Sequence, residues 1–371
     1  MGSVTWQELG ALTLARQFPA DPGPDVAATV RRTGPVQSQT ARSPFLAMAA
    51  RRPGVTRDEV AGAYADLALV RGSTLRGTVH TTVPDHHVLL HAATRVGLRR
   101  LWQRTLGLQH HEVEDVWEAL EAFARDDWRT PEELHAHLLA WLGTHGEDAT
   151  SPRLSSTQGR NLPFAGGGLV RRPRNGAWEG QGPAEYRTAS ALLGGRSARL
   201  ADPHVLDELV RVHLAAHGPA SRQDLAGWAG LTLTVVDEVL ARLDLTGVEA
   251  PDGRTYADLP GAPSPVDLPG VRLLPEFDAL MCAYERSGRQ RFLLPEHHDV
   301  LWGAANGQVD PPLLVDGRIT GSWRAAGSAR RRPLTLTSYA GTRVPRRTEL
   351  EQPVAALEAA LGIVITEVRI A

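Results

Sequence analysis

The sequence predicts an α+β protein: three tandem winged helix-turn-helix units followed by a β-rich C-terminal domain. Three observations carry that prediction. Stretches of helical periodicity run into alternating, strand-like pairs three times along the chain. Turn signals such as Asn175-Gly176 and Asp252-Gly253 fall within the second and third of these pairs. From about residue 270 the pattern shortens to strands separated by Gly and Pro. At 371 residues the chain exceeds one ordinary domain. The expected units are 1–83, 84–200, 201–259 and 270–371, with the Pro-rich run 260–269 as a linker.

The first unit reads as four helices and a hairpin. Trp6, Leu9, Leu12, Leu14 and Phe18 recur near helical spacing, a second helix fits Asp25 to Arg32 after Pro24, and a third fits Pro44 to Arg51. Thr56 caps the fourth, over Asp58–Asp66, because its side-chain oxygen can accept from the free N–H groups of the first turn. LALVRGSTLRGTVHTTV then alternates, with the break between its two strands expected at Arg71-Gly72-Ser73.

The second unit offers helices from Asp85 to Arg104, Glu112 to Arg125 and Pro131 to Leu142, the last opened by Thr130-Pro131-Glu132-Glu133. A polar, irregular stretch follows, and LPFAGGGLVRRPRNGAWEG reads as two strands around Arg174-Asn175-Gly176. In the third unit Asp202 caps and Pro203 opens a helix to Ala216, and Ser221 caps Arg222–Ala229. Leu231-Thr232 then leads into Val235–Leu243, and Val248 to Tyr256 form a hairpin around Asp252-Gly253. The acids Asp224, Asp237, Glu238 and Asp244 oppose phosphate contact, so this unit is read as structural. The tail offers strands in VRLLPEFDALMCAY, RFLLP, PPLLVDGRITGSWRAA and PLTLTSYAG, a helix over 349–361 and a last strand over Ile363–Arg369.

The charge is close to balanced, at −2, and every one of the 40 basic residues is arginine. Their positions matter more than their type. Residues 151–200 carry Arg153, Arg160, Arg171, Arg172, Arg174, Arg187, Arg196 and Arg199 against Glu179 and Glu185. Residues 318–347 carry Arg318, Arg324, Arg330, Arg331, Arg332, Arg343, Arg346 and Arg347 and no acid. Such segregation suits one basic face on a near-neutral molecule, and hence double-stranded DNA as partner. No membrane span or signal peptide is read, which makes a cytoplasmic monomer the expectation. Cys282 is the single cysteine and cannot form an internal disulfide. No metal cluster, phosphate-cradling glycine loop or G-x-S-x-G elbow is present, and the pairs His86-His87, His110-His111 and His297-His298 diverge on a helix, so neither metal nor cofactor is expected.

What stands out is GPVQSQTARSPF, where Gln37 and Gln39 flank one residue between two helices. In extended backbone residues i and i+2 point to one side, so both amides can converge on one object. This segment resembles the Gln-x-Gln or Gln-x-Asp motif of the AlkZ/YcaQ superfamily of winged-helix DNA glycosylases. Arg76-Gly77-Thr78-Val79-His80 likewise resembles the family's Arg-Gly-Thr-x-His stretch in the first wing. The residue between the glutamines is usually hydrophobic or aromatic in that motif, and here it is Ser38.

The resemblance covers nearly the whole chain and is nearest to the crosslink-unhooking members. It implies hydrolysis of the N-glycosidic bond of N7-alkylated purines, including guanines in interstrand crosslinks, by a monofunctional enzyme that confers resistance to a DNA-alkylating natural product. Gln37 and Gln39 would be catalytic, with Arg76 and His80 as supporting residues. Arg171, Arg172 and Arg174 on a basic hairpin tip, and Arg330, Arg331 and Arg332, are the DNA-binding candidates. Winged helices alone also fit a non-catalytic transcriptional regulator or DNA-binding scaffold, and the glutamine pair is what favours the enzyme.

Overall fold

A computed structural model describes residues 2–194, 202, 204–303, 309–327 and 329–371. The expected basic residues Arg196 and Arg199 and the helix-opening Pro203 lie outside these residues. The chain is an α+β mixture. It opens with α1 (Trp6–Gln17), α2 (Val26–Thr33), the two-residue strand β1 (Val36–Gln37), α3 (Ser43–Arg51) and α4 (Arg57–Ala65). Thr5 and Thr56 begin α1 and α4 with reciprocal capping boxes to Glu8 and Glu59, which satisfy backbone donors the helix cannot. Asp25 caps α2 by accepting the Ala28 N–H, with no reciprocal bond. All nine residues of α3 are buried.

The first hairpin is β2 (Val70–Ser73) and β3 (Val79–Thr82). Arg71-Gly72-Ser73, expected as the break, lies within β2, and the reversal comes at Leu75-Arg76-Gly77 instead. Backbone geometry explains the shift: Arg76 and Gly77 take left-handed φ of 58° and 74°, and Thr74 accepts the N–H of Gly77.

Next come α5 (Pro84–Leu106), α6 (Val113–Phe123) and α7 (Pro131–Thr144). The stretch expected to be irregular contains two short helices, α8 (Pro152–Ser155) and α9 (Thr157–Asn161). The second hairpin pairs β4 (Leu169–Pro173) with β5 (Ala184–Thr188) and leads to α10 (Ala189–Leu193). Asn175-Gly176 does form a turn, with Gly176 at φ 73°, but the chain does not return as a strand until Ala184. Residues 174–183 therefore make a long loop. Gly182 and Pro183 precede the second strand, and no alternating apolar run exists in AWEG to return earlier.

The third unit is α11 (Val205–His217), β6 (Ala220–Ser221), α12 (Arg222–Ala229), α13 (Leu233–Leu240), β7 (Thr246–Glu249) and β8 (Thr255–Asp258). Its sheet order is β6-β8-β7. The first hairpin has the matching order β1-β3-β2, but there the sheet continues through β4 and β5 into one five-stranded sheet. The joint is the pairing of Gly72 with Val170. A Cβ at Gly72 would stand 2.8 Å from the Leu169 carbonyl oxygen and 3.0 Å from the His87 ring, so only glycine lets the two hairpins meet.

The tail contributes β9 (Val271–Leu273), the short helices α14 (Ala279–Cys282) and α15 (His298–Leu301), then β10 (Pro312–Val315), β11 (Arg318–Ala325), β12 (Arg331–Ser338), α16 (Glu351–Leu361) and β13 (Val364–Ile370). These strands form a sheet ordered β13-β12-β11-β10-β9, in which β12 and β13 run parallel. RFLLP, expected as a strand, is a turn following a short 3-10 segment, and DALMC is helical. Asp278 explains the second change: it caps α14 and bonds to buried Arg51 from α3.

The cores draw on distant parts of the chain. Ala356 and Ala360 of α16 join the core of the first unit, and Leu46 of α3 joins that of the C-terminal sheet. α1 packs beside α11, and its Leu9 sits with Ala250 and Tyr256 of the third hairpin. Among the described residues no helix is long and apolar enough to cross a membrane.

Candidate functional site

Gln37 ends β1 and stands opposite His80 in the register with β3. Ser38 continues the ladder by donating its N–H to the Val79 carbonyl at 2.6 Å, after which the chain bends at Gln39. Gln37 is half-buried and Gln39 exposed. Both amides reach the same hairpin. The Arg76 guanidinium donates to Gln37 Oε1 at 3.1 Å, and the Val79 backbone N–H donates to Gln39 Oε1 at 3.3 Å. Each of these partners can only donate, so each fixes its amide with the oxygen inward. Each oxygen keeps a second lone pair, and each NH₂ remains a donor.

Arg76 does more than meet Gln37. Its other nitrogen donates to the carbonyls of Gly227 and Trp228, among the last carbonyls of α12, where a cation complements the negative end of the helix dipole. Burial holds its pKa below the ordinary arginine value. The tip of the first hairpin thus ties Gln37 to the third unit. His80 is buried, with Nδ1 at 3.0 Å from the Thr74 hydroxyl. Desolvation, with Arg76 nearby as a lesser cause, pushes its pKa down to about 3, so it is neutral at physiological pH.

Ser38 is buried, and its polarity is used. Its hydroxyl lies 2.9 Å from the Val36 carbonyl and 2.8 Å from the Thr81 hydroxyl, which in turn lies 2.6 Å from the Tyr64 hydroxyl. Arg71 closes this network, donating to Tyr64 and to the carbonyls of Ala41 and Trp178 at 3.0 Å each. A buried hydrogen-bonded cluster therefore holds the motif from behind, where an apolar residue would otherwise pack.

Of the arginines proposed to meet DNA, Arg171 and Arg172 on β4 line a small recess together with Ser38, Gln39 and Gln181. Gln181 of the long loop donates to the Gln39 carbonyl at 3.3 Å, so the second hairpin is brought to the motif. Arg172 pairs with Glu185 at 2.6 Å, and Arg174 is exposed. Arg330 and Arg331 are exposed at the start of β12 and make no ion pair among the described residues. Arg332 donates to the carbonyls of Ala329 and Gly327, and its pKa is lowered by desolvation and, as a lesser cause, by the charge of Arg42, three residues beyond Gln39. The run 318–347 is less free than its acid-poor sequence suggests. Arg343 and Arg346 both pair with Glu349, and Arg318 donates to the carbonyls of Gln290 and Arg291. Among the described residues no group of His, Cys, Asp and Glu could hold a metal ion.

The sequence pointed away from Arg71, Tyr64 and Trp178, because Arg71 was placed in a turn and the two aromatics stand far apart along the chain. An arginine directly after Leu69-Val70 in an alternating run was the one available signal.

The chain is 26% identical to an interstrand DNA cross-link repair glycosylase of Streptomyces sahachiroi, with 99% of each sequence covered. Its fold matches the solved structure of Streptomyces sahachiroi DNA glycosylase AlkZ with a TM-score of 0.81 at 22% identity, over 100% of both chains. The family described as DNA glycosylase AlkZ-like matches residues 30–360, a span that contains Gln37, Gln39, the first hairpin and the sheet it shares with the second. The chain belongs to the AlkZ-like family of DNA glycosylases.

Proposed function

We propose that this protein hydrolyses the N-glycosidic bond of N7-alkylated purines in duplex DNA and unhooks interstrand crosslinks, protecting its host from a DNA-alkylating natural product. In this reading it is a monofunctional enzyme built of three winged-helix units, 1–83, 84–200 and 201–259, with a β-rich domain over 270–371. The observation that carries the proposal is the pair of amides, Gln37 and Gln39, locked by donor-only partners beside a recess lined by Arg171 and Arg172.

N7-alkylguanine carries a positive charge and leaves readily without protonation, so the enzyme's task is to orient water and steady a cationic sugar. The free lone pairs and NH₂ groups of two fixed amides suit that task. Contact with Arg76 draws electron density from Gln37, which makes its oxygen a weak base and its NH₂ a good donor. The pair orients water and stabilises charge; it does not abstract a proton. Neutral His80 has no part in proton transfer near pH 7 and supports the hairpin through Thr74.

A guanine tied to the opposite strand cannot rotate out of the duplex, so the sugar is reached in place, through a groove entered by the arginine-bearing hairpin. Arg171, Arg172, Arg174, Arg330, Arg331 and Arg332 contact phosphates in this reading.

The test is a duplex bearing one N7-alkylguanine, incubated with enzyme and treated with alkali to cut abasic sites. Wild type yields strand cleavage, and the Gln37→Ala, Gln39→Ala double variant is slowed by about a hundredfold or more. Cleavage retained in the double variant removes the pair from the mechanism. DNA binding without cleavage on every alkylated or crosslinked duplex makes the protein a non-catalytic scaffold.

A further inference from the structure

A cavity of about 420 Å³ opens between α4 and the seam where β2 meets β4. Its aromatic lining is Tyr64, Trp128 and Trp178, and its charged lining is Arg71, Arg171, Arg172 and Arg174 against Glu185. Arg71, Arg171, Arg172 and Pro173 also line the recess beside Gln39, so the cavity adjoins the candidate catalytic pair.

The construction of the cavity points to a ligand. Tyr64 and Trp178 stack face to face, 4.2 Å apart with planes within 4°, and Arg172 lies 4.0 Å over the Trp128 ring. These aromatics converge from three separate segments of the chain. Arg71 is 5% exposed and forms no ion pair among the described residues. Its hydrogen bonds go to the Trp178 and Ala41 carbonyls and to the Tyr64 and Thr81 hydroxyls. A guanidinium has five N–H donors, so one hydrogen on Nη1 is left without a partner in that set. A buried cation is stabilised best by an anion, and Arg71 has carbonyl and hydroxyl acceptors but no carboxylate partner among the described residues. Leu67, on the cavity wall, takes a left-handed φ of 55°, a strained conformation of the kind that collects at binding sites.

We infer that this cavity binds a planar aromatic group bearing an acceptor or negative charge, carried by the alkyl substituent of the adduct. The inference rests on the glycosylase reading above and narrows its substrate class. Aromatic walls bury the flat ring, Arg71 takes the acceptor, and the continuity of the cavity with the recess beside Gln39 places the modified guanine toward Gln37 and Gln39. A small N7-methyl group leaves the cavity unused, whereas an arylalkyl substituent fills it.

Calorimetric titration with quinoline-2-carboxylate tests the cavity without any reaction. Saturable one-to-one binding is expected, weakened about tenfold in Trp178→Ala and in Trp128→Ala, with far weaker binding of cyclohexanecarboxylate. Equal binding of the saturated acid overturns the aromatic role. Inorganic phosphate bound as tightly as the aromatic acid, and unaffected by Trp178→Ala, makes the cavity a backbone-phosphate contact and overturns the proposal.

Single-turnover excision of N7-benzylguanine and N7-methylguanine is then compared. Wild type favours the benzyl adduct, and both Trp178→Ala and Trp128→Ala lose that preference about tenfold, with the methyl rate retained in Trp128→Ala. A preference unchanged in both variants refutes the adduct assignment. Excision of neither adduct by wild type refutes the glycosylase reading itself, and the titration still reports separately whether the cavity binds an aromatic acid.

Discussion

In the proposed reaction Gln37 and Gln39 depend on partners that cannot accept a proton or a hydrogen bond. An unrestrained glutamine rotates its amide and offers either end to water; Arg76 and the Val79 N–H each select one end. In that reading Arg76 is a positioning residue, coupling Gln37 to carbonyls at the end of α12. Arg76→Met leaves the amide free to turn, and kcat for excision is expected to fall about tenfold while KM changes little, because the loss is one of orientation. A change confined to KM would show that Arg76 serves DNA binding instead. The glutamines were legible in the sequence through their spacing and their resemblance to the family motif. Their locking was not, because residues 37 and 76 meet only through the β1–β3 register.

Hairpin merging is the main event at the level of elements. Each of the first two hairpins looked in sequence like the end of its own unit, and alternation alone has no means of showing that β2 and β4 share an edge. The decisive residue is Gly72, first read as part of a turn, whose missing side chain lets the Leu169 carbonyl approach. Gly72→Val is expected to cost about 1–3 kcal/mol of stability through overpacking at this seam. Because the seam carries the recess beside Gln39, activity should fall further than stability at temperatures where the variant stays folded. Denaturant midpoints measured alongside excision rates check this, and full activity in a folded Gly72→Val protein would separate the seam from the site. Helices were far more legible than hairpins. Thr56, Thr130 and Ser221 cap α4, α7 and α12 where the sequence placed them, since caps are local bonds across three residues.

Across the whole molecule, buried charge and buried imidazole join the units. Arg51 and Asp278 pair at 2.9 Å with side chains 3% and 1% exposed, and Arg16 and Asp258 pair at 2.7 Å, so α1 and α3 are bound to segments more than two hundred residues away. Desolvation also holds several histidines neutral: His80 and His217 are pushed down to about 3, and His86 and His87 to about 4. Unfolded, each titrates near 6.5, so between about pH 6.5 and 4 the unfolded chain binds more protons than the folded one. Their contribution to stability is complete above about pH 6.5 and is lost as pH falls towards the folded values. Urea midpoints should therefore drop clearly from pH 7.5 to pH 5. A midpoint flat over that range would mean that these histidines are as accessible in the folded protein as in the unfolded chain.

The sequence by itself determined the α+β class, the longer helices with the caps at Thr56 and Ser221, the third hairpin at Asp252-Gly253 and the close spacing of the two glutamines, because each depends on periodicity, local hydrogen bonds or spacing within a few residues; the helix expected to be capped by Asp202 begins at Val205 with His204 at the cap position. Tertiary structure alone decided that the first two hairpins form one sheet and that α16 and α3 share a core. It also decided that Tyr64, Arg71 and Trp178 enclose a cavity beside the motif. These outcomes depend on which surfaces meet after the chain has folded back on itself, and no local pattern encodes a contact between residues a hundred positions apart.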